Sequence, residues 1–248
     1  MKIALIGYGK MGKAIHELAN EKNVKLDKKH YDISLIIDVD NRNSITKEDL
    51  QQVDVAIEFT SPHTAVENIK WCFDADIPVV VGSTGWTDKL TEINQYAIDN
   101  NKAFLFAPNF SIGVNIFFEV NRYLAQIMNN HDEYNILLEE IHHTEKKDAP
   151  SGTGLHAALD ILKRIERKKD WINNETKNTE TLSILSKREE NVPGTHIVTY
   201  ESAIDKIDLI HTAHNRKGFA GGALLAADWI LNKKGAYSME DVLGFNKK

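Results

Sequence analysis

A chain of 248 residues with a single cysteine cannot form an internal disulfide, so its stability must come from a packed core, for which the length is ample. That residue, Cys72, lies between Trp71 and Phe73 at helical spacing from Ile69, the setting of a buried and unreactive thiol. No Lys/Arg-dense run occurs and the formal net charge is −6. A nucleic-acid surface would need a basic face to neutralise phosphates, so nucleic acid is excluded as a main partner. No apolar stretch approaches the roughly 20 residues of a membrane span. The opening run Lys2-Ile3-Ala4-Leu5-Ile6-Gly7 is too short for a signal peptide, and a cytoplasmic protein with no membrane partner is expected. Internal repeats and low-complexity segments are also missing. What is present, 42% hydrophobic and 27% charged residues, is ordinary for a globular protein and too apolar for general disorder.

The first hundred or so residues alternate short apolar runs with helical patterns. Ile3 to Ile6, Ser34 to Ile37, Val53 to Phe59, Pro78 to Val81 and Ala103 to Phe106 read as strands buried on both faces. Between them, Met11, Ile15, Leu18 and Ala19 mark one helix face and Val66, Ile69 and Phe73 another, so the expected fold is α/β, a Rossmann-like doubly wound parallel sheet. After Asn109 the rhythm changes. A long helix from Ile112 to Met128 precedes a strand from Asn135 to Ile141 and a polar loop. A helix starting at Ser151 carries Leu155, Leu159, Leu162 and Ile165 on one side, and its basic tail ends near Asp170. A polar loop at 173–181 follows. Strands at Leu182 to Ser186, His196 to Glu201 and Ile207 to Thr212 come without intervening helices, which predicts a second α+β domain with a mixed or antiparallel sheet. The closing helix, Phe219 to Leu231, is expected to pack back on the first domain. The expected division is 1–109 with 217–248 as a dinucleotide-binding domain, and 110–216 as a substrate-binding and oligomerisation domain, the two sharing a cleft.

Gly7-Tyr8-Gly9-Lys10-Met11-Gly12 is a G-x-G-x-x-G directly after the first strand and at the start of the first helix. Gly7 permits the tight turn, Gly9 lets a pyrophosphate approach the backbone, and Gly12 lets the helix sit close to the strand. The motif alone is weak, but the strand–turn–helix context makes dinucleotide binding the better reading over a plain glycine-rich turn. Asp38 ends the second strand where an acid accepts hydrogen bonds from the adenosine ribose. With Val39 beside it, NADH is favoured over NADPH, although Arg42 lies within reach and leaves dual use open. Gly82-Ser83-Thr84-Gly85 and Ala107-Pro108-Asn109-Phe110 follow the fourth and fifth strands on the same rim, as ordinary turns or as cofactor contacts.

The segment from Glu140 to Thr153 packs titratable groups against a helix start. Ser151 is a candidate N-cap, and the amides of Gly152 and Thr153 would point out of the first turn toward a carboxylate. His142, His143 and Lys146 offer proton donors that a cleft can tune. A solvated polar loop is the bland alternative. A metal site is disfavoured, since adjacent histidines of an extended segment point to opposite faces and no H-E-x-x-H or cysteine cluster accompanies them.

Glu-x-His-His-x-x-Lys-x-Asp-Ala-Pro-Ser-Gly-Thr over residues 140–153 resembles the signature of the dihydrodipicolinate reductase family. The resemblance extends over the glycine loop, Phe59-Thr60, Gly82 to Gly85, Asn109 to Asn115 and Arg216 to Gly222. It implies His142 as catalytic acid/base and Lys146 as proton donor, with His143, Ser151, Gly152 and Thr153 at the substrate. Cofactor contacts would fall on Gly7 to Gly12, Asp38, Gly82 to Thr84 and Ala107 to Phe110. The reaction it implies is NAD(P)H-dependent reduction of 4-hydroxy-tetrahydrodipicolinate, a dicarboxylate, to tetrahydrodipicolinate in the diaminopimelate route to lysine, by a homotetramer. Glu58, where Asp is usual, Ser83, where Thr is usual, and Val39, where NADPH users carry Arg, depart from that pattern. A phosphorylating semialdehyde dehydrogenase is a poor rival because it needs an activated thiol, which Cys72 is not. A nucleotide sensor without turnover is the rival of another class, and oxidation of reduced nicotinamide on adding substrate separates the two.

Overall fold

A computed structural model describes residues 1–21, 30–215 and 217–245, which form two compact units, 1–112 with 217–248 and 113–216. In the first unit six strands, β1 (Lys2–Ile6), β2 (Asp32–Ile37), β3 (Val55–Glu58), β4 (Val79–Val81), β5 (Ala103–Phe106) and β11 (Gly235–Tyr237), pair in the order β11-β5-β4-β3-β1-β2. Every pairing is parallel. Strand alternation divides the core. Ile3, Leu5, Val55, Ile57 and Leu105 face α1 (Lys10–Asn20) and α7 (Lys217–Ile230), while Ala4, Ile6, Ala56, Val79 and Phe104 face α3 (Ala65–Asp74) and α4 (Leu90–Asp99). Both faces are thus apolar, which explains why these strands read as continuous hydrophobic runs. The short α2 (Lys47–Leu50) and α8 (Met239–Leu243) complete the unit. From β1 the chain passes to β2 on one side and then to β3 on the other, so the strand order reverses at β1/β3 and leaves the crevice there.

The closing helix α7 does belong to the first unit, where Ala220, Ala223, Leu224 and Ala227 pack beside Ile15 and Leu18 of α1. Gly222 is needed there, since a Cβ would overlap the carbonyl oxygen of Phe110.

In the second unit β6 (Asn135–His142), β7 (Asp170–Ile172), β8 (Thr181–Arg188), β9 (Gly194–Glu201) and β10 (Lys206–Ala213) form a sheet in the order β10-β9-β6-β8-β7. It is mixed: β6 and β10 run antiparallel to β9, and β8 runs parallel to both β6 and β7. One face carries α5 (Ile112–Met128) and α6 (Gly152–Leu162) over Ile136, Leu138, Leu182, Ile184, Val198 and Tyr200.

Two expectations need correction. The helix after Ser151 ends at Leu162, not near Asp170, and Asp170–Ile172 is a three-residue exposed edge strand with no periodicity to announce it. The leucine side of α6 is buried only in part: Leu162 and Ile165 pack on the core, but Leu159 is 42% exposed, and Gly154, Ala157, Ala158 and Ile161 lie inward. Small residues win because the helix sits against the sheet at Glu140, where a Cβ on Gly154 would overlap a carboxylate oxygen.

Candidate active site

The glycine loop lies at the crevice end of β1. Gly7 has φ +96°, and a Cβ on it would overlap the carbonyl oxygen of Phe59. A Cβ on Gly12 would overlap the carbonyl oxygen of Gly7, so this glycine sets how closely α1 approaches the strand. Gly9 differs, with no atom of the described residues within 4 Å of its Cβ position. It is also the N-cap of α1, whose first turn holds no acidic residue. Open backbone at the positive end of an uncapped helix suits a pyrophosphate, so these residues fit a dinucleotide.

Around this loop the rim is braced. Asp38 stands exposed just beyond β2, with Val39 N donating to its Oδ1 at 2.9 Å. Arg42 is held away by stacking 3.5 Å over the Trp71 ring and pairing with Glu67 at 3.7 Å. Tyr8 bonds through its hydroxyl to His16 Nδ1 at 2.7 Å. Lys10 is exposed and Met11 half-buried. The Ser83 hydroxyl is turned into the protein, accepting from Thr60 N at 2.7 Å, and Gly82 leaves room for the Phe59 ring. Thr60 N and its hydroxyl also donate to Glu58, whose other oxygen is buried without a partner among the described residues. Burial pushes the Glu58 carboxyl above its ordinary range, against the pull of these bonds. Thr84 and Pro108 are exposed, Ala107 and Phe110 are buried, and Asn109 accepts from Ser111 N at 2.8 Å. Cys72 is buried, and burial raises its thiol far above the reactive range.

The second unit builds a polar row across its sheet. Directly paired residues share a face, and the registers Ser186↔Glu140↔His196↔His211 align four polar side chains over β8, β6, β9 and β10. The adjacent row aligns Arg188 with His142, and Gly194 of β9 leaves room for the His142 ring, 3.1 Å from its Cβ position. His142 is 7% exposed, with its ring 5.0 Å from that of His196 in an edge-to-face arrangement.

Glu140, wholly buried, organises the start of α6. It accepts from Ser151 N at 2.9 and 3.0 Å, from the Ser151 hydroxyl, and from Ser186 Oγ at 2.9 Å. Ser151 is the N-cap as expected, accepting from Gly154 N at 3.0 Å. Its hydroxyl lies 3.2 Å from His196 Nε2, so a neutral His196 protonated on Nε2 completes the chain His196→Ser151→Glu140. Gly152, with open space at its Cβ position, and Thr153 begin the helix. Glu140, His142 and His196 are a trio whose ligand atoms lie within 4.8 Å of one another. The donors already on both Glu140 oxygens make it a hydrogen-bond hub that a cation would have to dismantle.

Burial lowers the His142 pKa, with Glu140 and Asp148 opposing and Lys146 and Arg188 assisting. Burial, assisted by His142, His211 and Lys146, pushes His196 down to about 3. Lys146 bonds to both oxygens of Asp148 at 2.9 Å, and Asp148 is lowered despite some burial because Lys146 stabilises its charge. His143 is half-buried and Lys147 exposed. The described residues do not include Arg216, which the family resemblance named. Sequence reasoning missed Arg188 and Ser186 and assigned Glu140 no role. The Glu140–His142 spacing of two, one face of a strand, was the available signal, whereas β8 and β9 enter only through pairing.

A doubly wound sheet with a glycine loop at its switch point, followed by a unit that presents buried histidines beside a lysine and a capped helix start, defines a two-unit nicotinamide-dependent oxidoreductase. Residues 1–110 match the model for the N-terminus of dihydrodipicolinate reductase and residues 113–243 that for its C-terminus. The chain belongs to the dihydrodipicolinate reductase family. It is 45% identical over 243 residues to the 4-hydroxy-tetrahydrodipicolinate reductase of Christiangramia forsetii, covering 98% of each chain. Against the enzyme of that name from Syntrophus aciditrophicus the identity is 32%, over 96% of each. The structure of a dipicolinate-bound dihydrodipicolinate reductase from Paenisporosarcina sp. TG-14 superposes with a TM-score of 0.76 at 23% identity, over 97% of this chain and 98% of that one, which confirms the fold.

Proposed function

We propose that this reductase converts 4-hydroxy-tetrahydrodipicolinate to tetrahydrodipicolinate in the diaminopimelate route to lysine, with His142 and Lys146 supplying protons. The observation that carries the assignment of residues is the placement of His142, buried on the sheet, between a lysine loop and the Ser151-capped start of α6.

The substrate loses its 4-hydroxyl as water, and the resulting conjugated imine accepts a hydride and a proton. A reduced nicotinamide, when bound, supplies the hydride. As the ring gains an electron pair, negative charge develops along its conjugated nitrogen system. A cation and an acid beside that charge lower the barrier by electrostatic stabilisation and proton donation. Lys146 is the cation and proton donor. A substrate carboxylate would compete with Asp148 for it. His142, mostly neutral in the free enzyme at pH 7, takes up a proton more readily once a dicarboxylate lies beside it, because negative charge favours the imidazolium, and the proton donor is thereby loaded. The second carboxylate lies at the Gly152–Thr153 end of α6, with His143 alongside. Gly7 to Gly12, Asp38, Gly82 to Thr84 and Ala107 to Phe110 hold the cofactor.

NADH is the preferred cofactor in this reading. Asp38 would repel a 2′-phosphate, Val39 offers no charge, and Arg42 is committed to Trp71 and Glu67. We assign the enzyme to the cytoplasm, where a lone buried thiol stays reduced; no helix among the described residues is long and apolar enough to cross a membrane. We assign it homotetrameric assembly through the sheet of the second unit. In support, the sheet face away from α5 and α6 carries Leu137, Ile141, Leu185, Ile197 and Ile210, the last 57% exposed. Light scattering of wild type and Ile210→Lys tests this assembly.

The deciding experiment follows nicotinamide absorbance after adding freshly generated substrate, with each cofactor in turn. Oxidation with NADH at several-fold higher kcat/KM supports the reading. Binding without oxidation makes the protein a sensor, and an NADPH preference overturns the role of Asp38.

A further inference from the structure

We propose that Arg188 is a positioning residue of the reaction, a strut that holds the loop bearing Lys146 in place beside His142. Arg188 ends β8 directly opposite His142, which ends β6. Its Nε donates to Lys146 O at 3.2 Å, one Nη donates to Asp148 O at 2.6 Å, and the other donates to Lys187 O at 2.8 Å. The latter Nη stands 3.9 Å from Oε1 of the buried Glu140. One guanidinium therefore ties the backbone of the catalytic loop at two points to the strand beside His142. Only a planar fork with several fixed donors does this, and a lysine cannot. The loop adds one backbone turn of its own, from Lys146 N to His143 O at 3.1 Å. The Lys146 side chain is paired with Asp148 two residues on, so the carbonyl anchors, not the side chain, set where the lysine emerges.

The same residue acts on His142 through charge. The groups facing that imidazole are Glu140 on its own strand, Arg188 on β8, Lys146 and Asp148 in the loop, and His196 on β9. Arg188 favours the neutral imidazole. Removing its charge should move the His142 limb of the pH profile upward, while a lysine should leave that limb in place and still fail to hold the loop.

The inference rests on the reading of His142 and Lys146 as proton donors, and the test separates the two. Steady-state kinetics against pH, cofactor affinity and melting temperature are measured for Arg188→Gln and Arg188→Lys beside His142→Gln. We expect kcat/KM for the dicarboxylate to fall about 100-fold in both arginine variants, as for an ångström-scale misplacement. Cofactor dissociation constants and melting temperatures should stay near wild type, and the pH limb should rise in Arg188→Gln alone. Wild-type kcat/KM in Arg188→Lys overturns the strut. So does a loss of activity in both variants that merely follows a loss of folded protein. Wild-type turnover of His142→Gln fails the underlying reading, whatever the arginine variants do.

Discussion

His196 faces Glu140 across the β6–β9 pair with its Nε2 3.8 Å from the carboxylate, yet it is held neutral, its pKa pushed down to about 3. Burial of the ring outweighs the nearby anion, whose lone pairs are already occupied by Ser151 and Ser186.

Acid stability follows from this neutrality. The folded pKa of His196 lies below the unfolded value of 6.5, so between pH 6.5 and about 3 the unfolded chain binds the extra proton. The stability from neutral His196 is fully present above pH 6.5 and is lost as pH falls through that window. The lowered pKa of His142 acts in the same direction. Denaturant unfolding from pH 7 to 4 should show a smaller stability loss in His196→Gln than in wild type, and identical slopes would refute the account.

Catalysis should separate from cofactor binding. His142→Gln and Lys146→Ala are each expected to lower kcat by about 100-fold or more while cofactor affinity stays near normal. Near-wild-type turnover in both would remove the assignment.

Binding of a dicarboxylate should take up protons. His142 is mostly neutral in the free enzyme at pH 7, and an anion beside it raises its proton affinity. Calorimetric titration with pyridine-2,6-dicarboxylate in buffers of different ionisation enthalpy should give net uptake that vanishes in His142→Gln. Uptake unchanged by that substitution would point to another group.

Two glycines of one loop should fail differently. Gly9→Ala meets open space at a negative φ of −76°, so its melting temperature should hold while NADH affinity falls about tenfold, or ~1.4 kcal/mol. Gly7→Ala meets Phe59 and a φ of +96°, and should destabilise the fold by at least about 1–2 kcal/mol. Equal losses of stability in both would mean that Gly9 is structural. Asp38→Ala should weaken NADH binding with little change in substrate affinity.

The Tyr200 hydroxyl is buried in the second core without a hydrogen-bond partner among the described residues. Removing a buried, unsatisfied polar group relieves a desolvation cost. Tyr200→Phe should therefore match or exceed wild-type stability by about 1 kcal/mol in urea unfolding, and a clear loss would reveal a partner for the hydroxyl.

Much of the fold is legible in local pattern. The strands β1, β3, β4 and β5 are buried on both faces, so each shows as an apolar run between turn formers, whereas the edge strand β2 is buried only at Ile37; α5 runs over the expected Ile112–Met128. Ser151 declares itself as a cap because capping is decided within one helical turn. The edge strand β7 and the inward face of α6 do not declare themselves. The first exists only through pairing with β8, and the second is chosen by how closely the helix must approach Glu140.

The sequence by itself determined the glycine loop, the family and the segment that carries His142 and Lys146, because each is a set of residues at fixed short spacing. Only the tertiary structure decided what surrounds them. Ser186, Arg188 and His196 reach Glu140 and His142 through strand registers spanning roughly fifty residues of chain. Hydrogen bonding across a sheet is set by which strands become neighbours, and no local pattern records that choice.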